Sequence, residues 1–210
     1  MSFIDIHTHD SSGGNLIRIY GDKGCMELGV RGIHPMEIPA EDDFKALEED
    51  CRKGKILALG ECGLDRRSSV PMDIQYLWFK RQIGLSETYR IPLIIHCVRA
   101  YPELLTAYNA LSPSLPWIVH GYNNNENILD MLLSRKGFFL SLGSALLKRG
   151  SHAGNLLHRI YPSRLFLETD VSGLKIEVVY REASRILGVP LEEVVAVAES
   201  NFNKVFNGLS

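Results

Sequence analysis

The sequence has no surplus of positive charge: 23 Lys and Arg against 25 Asp and Glu leave a net charge of −2. A chain so balanced does not bind nucleic acid through bulk charge, and any phosphate recognition has to come from a local patch or a bound cation. It has no apolar run near the ~20 residues that a membrane-spanning helix needs. No signal peptide is expected, because Phe3-Ile4-Asp5-Ile6 already reads as a strand. The four cysteines, Cys25, Cys51, Cys62 and Cys97, contain no C-x-x-C pair. Their spacing suggests neither a zinc knuckle nor a disulfide framework, and reduced thiols in a cytoplasmic protein are expected. There is no internal repeat and no low-complexity segment.

What is there is alternation. The 210 residues are 45% hydrophobic and 23% charged, which suits one soluble domain, 1–210, with a sizeable core. Short apolar runs are followed by longer amphipathic stretches. The strand candidates are Phe3–His7, Gly29–His34, Ile56–Glu61, Pro92–His96, Pro116–His120, Phe138–Leu142 and Leu165–Asp170, with Leu16–Tyr20 as a weaker eighth. Helices are expected at about 41–53, 73–90, 100–111, 124–135, 144–160, 176–188 and 191–207. In the second of these, Ile74, Leu77, Trp78, Ile83 and Leu85 read as an apolar stripe and Asp73 as a cap.

Strand–helix alternation predicts a parallel sheet covered by helices. Seven or eight units favour a closed (β/α)8 TIM-type barrel, although such barrels usually take about 250 residues. The economy falls between residues 10 and 28, which are too few for a full helix, strand and helix. The second β/α unit is therefore expected to be reduced to a strand or hairpin, with turns at Gly13-Gly14 and Gly21–Gly24.

Five apolar runs each deliver a metal-competent side chain at the carboxyl end. They are His7 with His9, Glu61, His96, His120 and Asp170. In a parallel barrel those ends share one face, where catalytic groups collect. His7 and His9 are two apart, so on a strand both imidazoles can face one ion. Four histidines and two carboxylates suit zinc or manganese rather than calcium. A carboxylate can bridge two ions, and pairs about 3.5–4 Å apart are common in phosphoesterases.

The motifs Asp5-Ile6-His7-Thr8-His9, Gly32-Ile33-His34-Pro35, Leu59-Gly60-Glu61-Cys62-Gly63-Leu64-Asp65, Pro92-Leu93-Ile94-Ile95-His96, Ile118-Val119-His120-Gly121-Tyr122, Phe139-Leu140-Ser141-Leu142-Gly143 and Leu167-Glu168-Thr169-Asp170 follow one another along nearly the whole chain. Asn201 and Phe206 add a weaker match near the end. In this order they make the chain similar to the TatD family of metal-dependent hydrolases, which includes TatD-related deoxyribonucleases, within the amidohydrolase-like barrels. The resemblance implies two divalent ions, zinc, manganese or magnesium. One would be held by His7, His9, Glu61 and Asp170, and the other by Glu61, His96 and His120. It also implies phosphodiester hydrolysis, commonly of DNA and often from an end, with nucleic acid or a small phosphodiester as partner. The departures fall around the ligands: Arg66-Arg67 replace aromatic residues, Arg99 stands one place later than the family's arginine, and the proline usual after Glu-Thr-Asp is missing. The chemistry therefore carries over further than the substrate.

The expected mechanism is in-line attack on phosphorus by a metal-activated water, with Asp170 as base and Glu61 as the shared catalytic carboxylate. His34, Arg66, Arg67 and Arg99 are expected phosphate or substrate contacts, and Tyr122 is expected to stack on a base. Asp5 and Glu168 lie two before a ligand, where they either steady it or make buried structural bonds. Asp65 is expected to fix its loop, and Asn123-Asn124-Asn125 to turn into a helix. A second reading changes the bond to an amide or ester. Such sites often carry a carboxylated lysine as bridge, and here Glu61 ends that strand. A third reading is a barrel that binds metal without turnover.

Overall fold

A computed structural model describes residues 2–9, 14–21 and 24–206. Its elements in chain order are β1 (Phe3–His9), β2 (Asn15–Gly21), β3 (Gly24–Arg31), α1 (Glu41–Arg52), β4 (Ala58–Asp65), α2 (Met72–Tyr89), β5 (Leu93–Val98), α3 (Tyr101–Leu111), β6 (Trp117–Val119), α4 (Glu126–Leu133), β7 (Phe138–Leu142), α5 (His152–Ile160), β8 (Leu165–Leu167), α6 (Ile176–Leu187) and α7 (Leu191–Phe206). The strands form one eight-stranded sheet in the order β1 to β8. The two ends of the sheet meet where Asp170 N–H donates to His7 O at 3.0 Å and Thr8 bridges Asp170 in parallel. This is the expected TIM-type barrel.

The expected reduction lies in the first third, and it removes more than one helix. Only residues 10–14 separate β1 from β2, and only 22–23 separate β2 from β3. A parallel crossover needs about a dozen residues or more. β2 therefore runs antiparallel to both neighbours, while every pair from β3 to β8 is parallel. Of the expected turns, Gly13, Asp22 and Lys23 lie outside the described residues, as does residue 207 of the last expected helix.

Two apolar layers hold the barrel. Inside it, Ile4, Ile6, Ile17, Val30, Ala58, Ile94, Ile118, Phe139 and Phe166 form one buried cluster with Phe202, Val205 and Phe206 of α7. Asn201 fastens that helix at the amino end of β8, donating from Nδ2 to Leu165 O and Pro162 O, both at 2.9 Å. Outside, the alternate strand residues pack under the helices. The mouth is thus left to the polar residues at the other end. No helix of the described residues is long and apolar enough to cross a membrane.

Three local expectations change. The stretch 144–160 is a 3-10 turn at Ser144–Leu147 followed by α5, because Gly150 sits at φ 75 and Ser151 starts afresh as a cap, accepting from Gly154 N at 3.0 Å. Pro71, not Asp73, stands at the cap of α2, with no side-chain cap bond. Leu77 of its expected stripe is half exposed, while the buried face carries Gln75, Gln82 and Ser86.

Candidate metal centre

Residues of β1, β4 and β5 meet at the mouth with His120 and Asp170, which lie just past β6 and β8. Glu61 is in their middle and is 6% exposed. Its Oε1 lies 3.3 Å from His7 Nε2 and 3.5 Å from His9 Nε2. Its Oε2 lies 2.8 Å from His120 Nε2, 3.2 Å from His96 Nδ1 and 3.6 Å from His34 Nε2. Asp170 Oδ1 completes the first side, 3.3 Å from His9 Nε2 and 3.6 Å from His7 Nε2. Three overlapping groups could each hold an ion: His7-Glu61-His120, His7-His9-Asp170 and His34-Glu61-His96. All six residues expected as ligands are brought together, and His34 joins them.

The glycines of the glutamate motif explain how β4 gets there. A Cβ on Gly60 would lie 2.7 Å from Ile94 O, and one on Gly63, where φ is +137°, would lie 2.1 Å from His96 O. Only glycine lets β4 press this closely on β5. The pairing of the two strands shifts register between Leu59 and Cys62, around Glu61. Asp170 is itself in the left-handed region, at φ 49, held by its bond to His7 O.

Burial opposes the charge on Glu61, but the imidazoles of His120, His34, His7 and His96 around its carboxyl outweigh it and hold it far below the usual carboxylate range. Burial likewise opposes a charge on His120, yet Glu168 and Glu61 beside it push its pKa up to about 10. Glu168 is buried behind His120, with Oε1 3.8 Å from His120 Nδ1 and accepting Gly121 N–H at 2.7 Å. Asp5 is raised to about 7 by burial, against the bonds it accepts from Thr169 N (2.9 Å) and Thr169 Oγ1 (2.6 Å). Asp5 therefore ties β1 to Thr169, which follows β8 and precedes Asp170.

The other expected contacts divide. His34 Nδ1 accepts Met36 N–H at 3.2 Å, so its Nε2 carries the hydrogen that faces Glu61. Arg99 is exposed at φ 55. Arg66 pairs with Glu103, and Arg67 pairs with Asp65. Tyr122 cannot stack on a base: it is 0% exposed, set edge-on to Tyr101, and its hydroxyl donates to Asn125 O at 3.1 Å. Asn125 caps α4 by accepting from Ile128 N at 3.1 Å.

Some residues of the site escape a search of carboxyl strand ends. Asn15 begins β2, and because β2 is reversed its amino end lies at the mouth. One arm of the Asn15 amide is 3.3 Å from both Glu61 Oε1 and His9 Nδ1. Gln75 and Gln82, seven apart on α2, each hold a loop by its backbone. Gln82 accepts from Ile33 N at 2.7 Å and donates to Ile33 O at 3.1 Å, next to His34. Gln75 accepts from Asp65 N at 2.7 Å and donates to Asp65 O at 3.0 Å. Two glutamines one heptad apart on a mostly apolar face are a readable signal.

This fold and this cluster are those of the metal-dependent hydrolase barrels, and comparison with known proteins gives the family. The model of the TatD related DNase family matches residues 15–207, and the chain belongs to that family. It is 24% identical over 193 residues to the uncharacterized metal-dependent hydrolase YabD of Bacillus subtilis, covering 83% of this chain and 75% of that protein. It is 29% identical over 146 residues to the 3'-5' ssDNA/RNA exonuclease TatD of Pectobacterium atrosepticum, covering 66% of this chain and 55% of the relative. The chain thus spans about half the length of that exonuclease. The crystal structure of YJJV, a TatD homologue from Escherichia coli, superposes with a TM-score of 0.77 at 21% identity, over 86% of this chain and 76% of that one.

Proposed function

We propose that this protein hydrolyses phosphodiester bonds in single-stranded nucleic acid, using two divalent ions of zinc, manganese or magnesium. The observation that carries the reading is the division of Glu61: one carboxylate oxygen faces His7 and His9, the other His96 and His120. His7, His9, Glu61 and Asp170 would hold one ion, and Glu61, His96 and His120 the other. The residues fit. His7 Nε2 is buried and makes no hydrogen bond among the described residues, yet it faces two carboxylates at 3.3 and 3.6 Å. A cation between them would satisfy that lone pair. The imidazole-rich donor set favours zinc or manganese.

Ions held there would supply the chemistry of an acidified water and of charge neutralisation on the phosphoryl oxygens. The chain's own residues do the rest. Asp170, whose side chain is 36% exposed, is the carboxylate open to the mouth, and it orients the attacking water and accepts its proton. Glu61 stays ionised and keeps the imidazoles of His7, His9, His96 and His120 aimed at it. His34 offers an N–H, and Arg99 an exposed guanidinium, to a phosphate of the substrate. Arg66 serves there only by leaving Glu103. The activity named for the Pectobacterium relative supports a single-stranded DNA or RNA substrate, and the four free cysteines support a reducing, cytoplasmic setting.

The test is to measure bound metal and then to assay a generic phosphodiester, end-labelled single-stranded DNA and RNA, and an amide panel, with Glu61→Ala as control. Release of nucleotides from labelled ends by the wild type and not by the control is expected. Amide turnover without phosphodiester turnover would overturn the reading in favour of an amidohydrolase on the same centre.

A further inference from the structure

The imidazoles on the second side of the centre do not present the same nitrogen. His120 turns Nε2 toward Glu61, whereas His96 turns Nδ1. The reason lies behind His96. Its Nε2 is 3.0 Å from Asp65 Oδ2. Asp65 is 0% exposed and is held from every direction. Its Oδ1 accepts Arg67 N–H at 2.7 Å, and its own N–H and C=O are bound by the Gln75 amide. The Arg67 guanidinium lies against the same carboxylate, at 3.3 Å through Nε and 3.2 Å through Nη2. A carboxylate fixed in this way can only accept, so the imidazole nitrogen facing it has to carry a hydrogen.

We infer that Asp65 is a positioning residue that keeps the His96 proton on Nε2 and so commits Nδ1 to the metal shared with Glu61. The inference rests on the two-ion reading above. It makes the two ligands of this position opposite in tautomer: His96 binds through Nδ1 with Nε2–H on Asp65, and His120 binds through Nε2 with Nδ1 toward Glu168. It also gives Arg67 a different task from phosphate binding, as the cation that holds the Asp65 carboxylate in place.

The substitution that isolates the effect is Asp65→Asn, which keeps size and shape. The Arg67 backbone N–H requires an oxygen at the Oδ1 position, so the asparagine would turn its NH2 to His96 Nε2. That nitrogen must then accept, and the proton moves to Nδ1, where the ion should bind. The same exchange in a Ser-His-Asp triad leaves geometry intact and disables the histidine through its tautomer. The expected result is a zinc titration in which one of two equivalents weakens by about 10–100-fold, the range seen when partners behind metal-binding histidines are removed. In 15N-histidine spectra, His7 and His9 should still respond to the first equivalent and His96 should not. In the wild type loaded with cadmium-113, coupling should appear at His96 Nδ1. Arg67→Ala, which keeps the carboxylate, should leave that coupling in place and change affinity only a few-fold.

Three results would overturn the inference: wild-type affinity for both equivalents in Asp65→Asn, cadmium coupling at His96 Nε2, or a loss in Arg67→Ala as large as in Asp65→Asn, which would make the residue a loop anchor only. A wild type that binds two ions with His96 on Nδ1 but cleaves no phosphodiester would sink the proposed activity and leave this inference standing. A wild type that binds no metal would sink both.

Discussion

From β4 to β8 each parallel strand is followed in the chain by a helix, after a 3-10 turn in the case of β7, and β4 is buried along its whole length. On the other side, β2 and β3 run against each other with no helix between them, and only Ile17 and Val30 among their residues are buried. The outer face of that hairpin carries an ion pair, Arg18 opposite Glu27 at 2.8 Å. An antiparallel pair can leave one face in water, which a parallel pair rarely does. The helices are therefore dispensable where the strands are antiparallel, provided that the inner face still fills the barrel. The candidate centre straddles the two constructions. His7 and His9 come from β1, beside the reduced side, and Glu61, His96, His120 and Asp170 from the covered side.

The strongest test of that division is at the junction. Asp170 follows β8 and is bonded to β1 through His7 O. Asp170→Asn should keep the fold and most bound metal but lower phosphodiester turnover by about 10²–10⁴-fold, the usual range for a positioned base. Near-normal turnover with both ions present would remove Asp170 from the base role and move the chemistry to the covered side alone.

The next test asks whether the reduced side carries its share of the core. Ile17 of β2 and Ile118 of β6 are both 0% exposed in the same cluster. Ile17→Ala and Ile118→Ala should each cost about 2–5 kcal/mol in denaturant unfolding. Equal costs mean that the hairpin is as integral to the barrel as a helix-covered strand. A cost under about 1 kcal/mol for Ile17→Ala alone would make the hairpin an appendage.

Gly63→Ala probes the closest approach on the covered side. The added Cβ meets His96 O at 2.1 Å, and φ of +137° is strained for any side chain. A loss of about 1–3 kcal/mol is expected from the backbone alone, together with weaker metal binding at the His96 position. Unchanged stability would show that β4 can move off β5 without harm.

The covered side was also the more legible one. Its ligands each end an apolar run, and a parallel barrel puts such ends on one face. Helix limits there agree to within a residue or two, except where Gly150 and Ser151 restart α5. The reduced side was legible as a shortage of residues with one weak strand, Leu16–Tyr20, but not in the direction of that strand. A strand of reversed direction moves its amino end to the mouth, which is why Asn15 escaped notice. Two arginines have partners that sequence does not show: a cation just past a strand end looks free, but Arg66 has Glu103 and Arg67 has Asp65. Tyr122 was misread because its neighbour His120 belongs to the mouth while its own ring turns back into the core. Pattern finds which residues end a strand. It does not find what stands behind them, and there the fixing of His96 by Asp65 is decided.

The smallest effect tests the ion pair itself. Arg18 and Glu27 face each other across β2 and β3, with side chains 22% and 53% exposed. A pair this open to solvent is worth about 0.2–1 kcal/mol and is screened by salt. Arg18→Ala should therefore lower stability by no more than about 1 kcal/mol, with the difference shrinking as salt is raised. A loss well above that, insensitive to salt, would mean that the Arg18 stem and the strand face beneath it are packed rather than solvated. The hairpin would then be a second covered surface, and the contrast between the two sides of the barrel would fail at the point where its outer face is most polar.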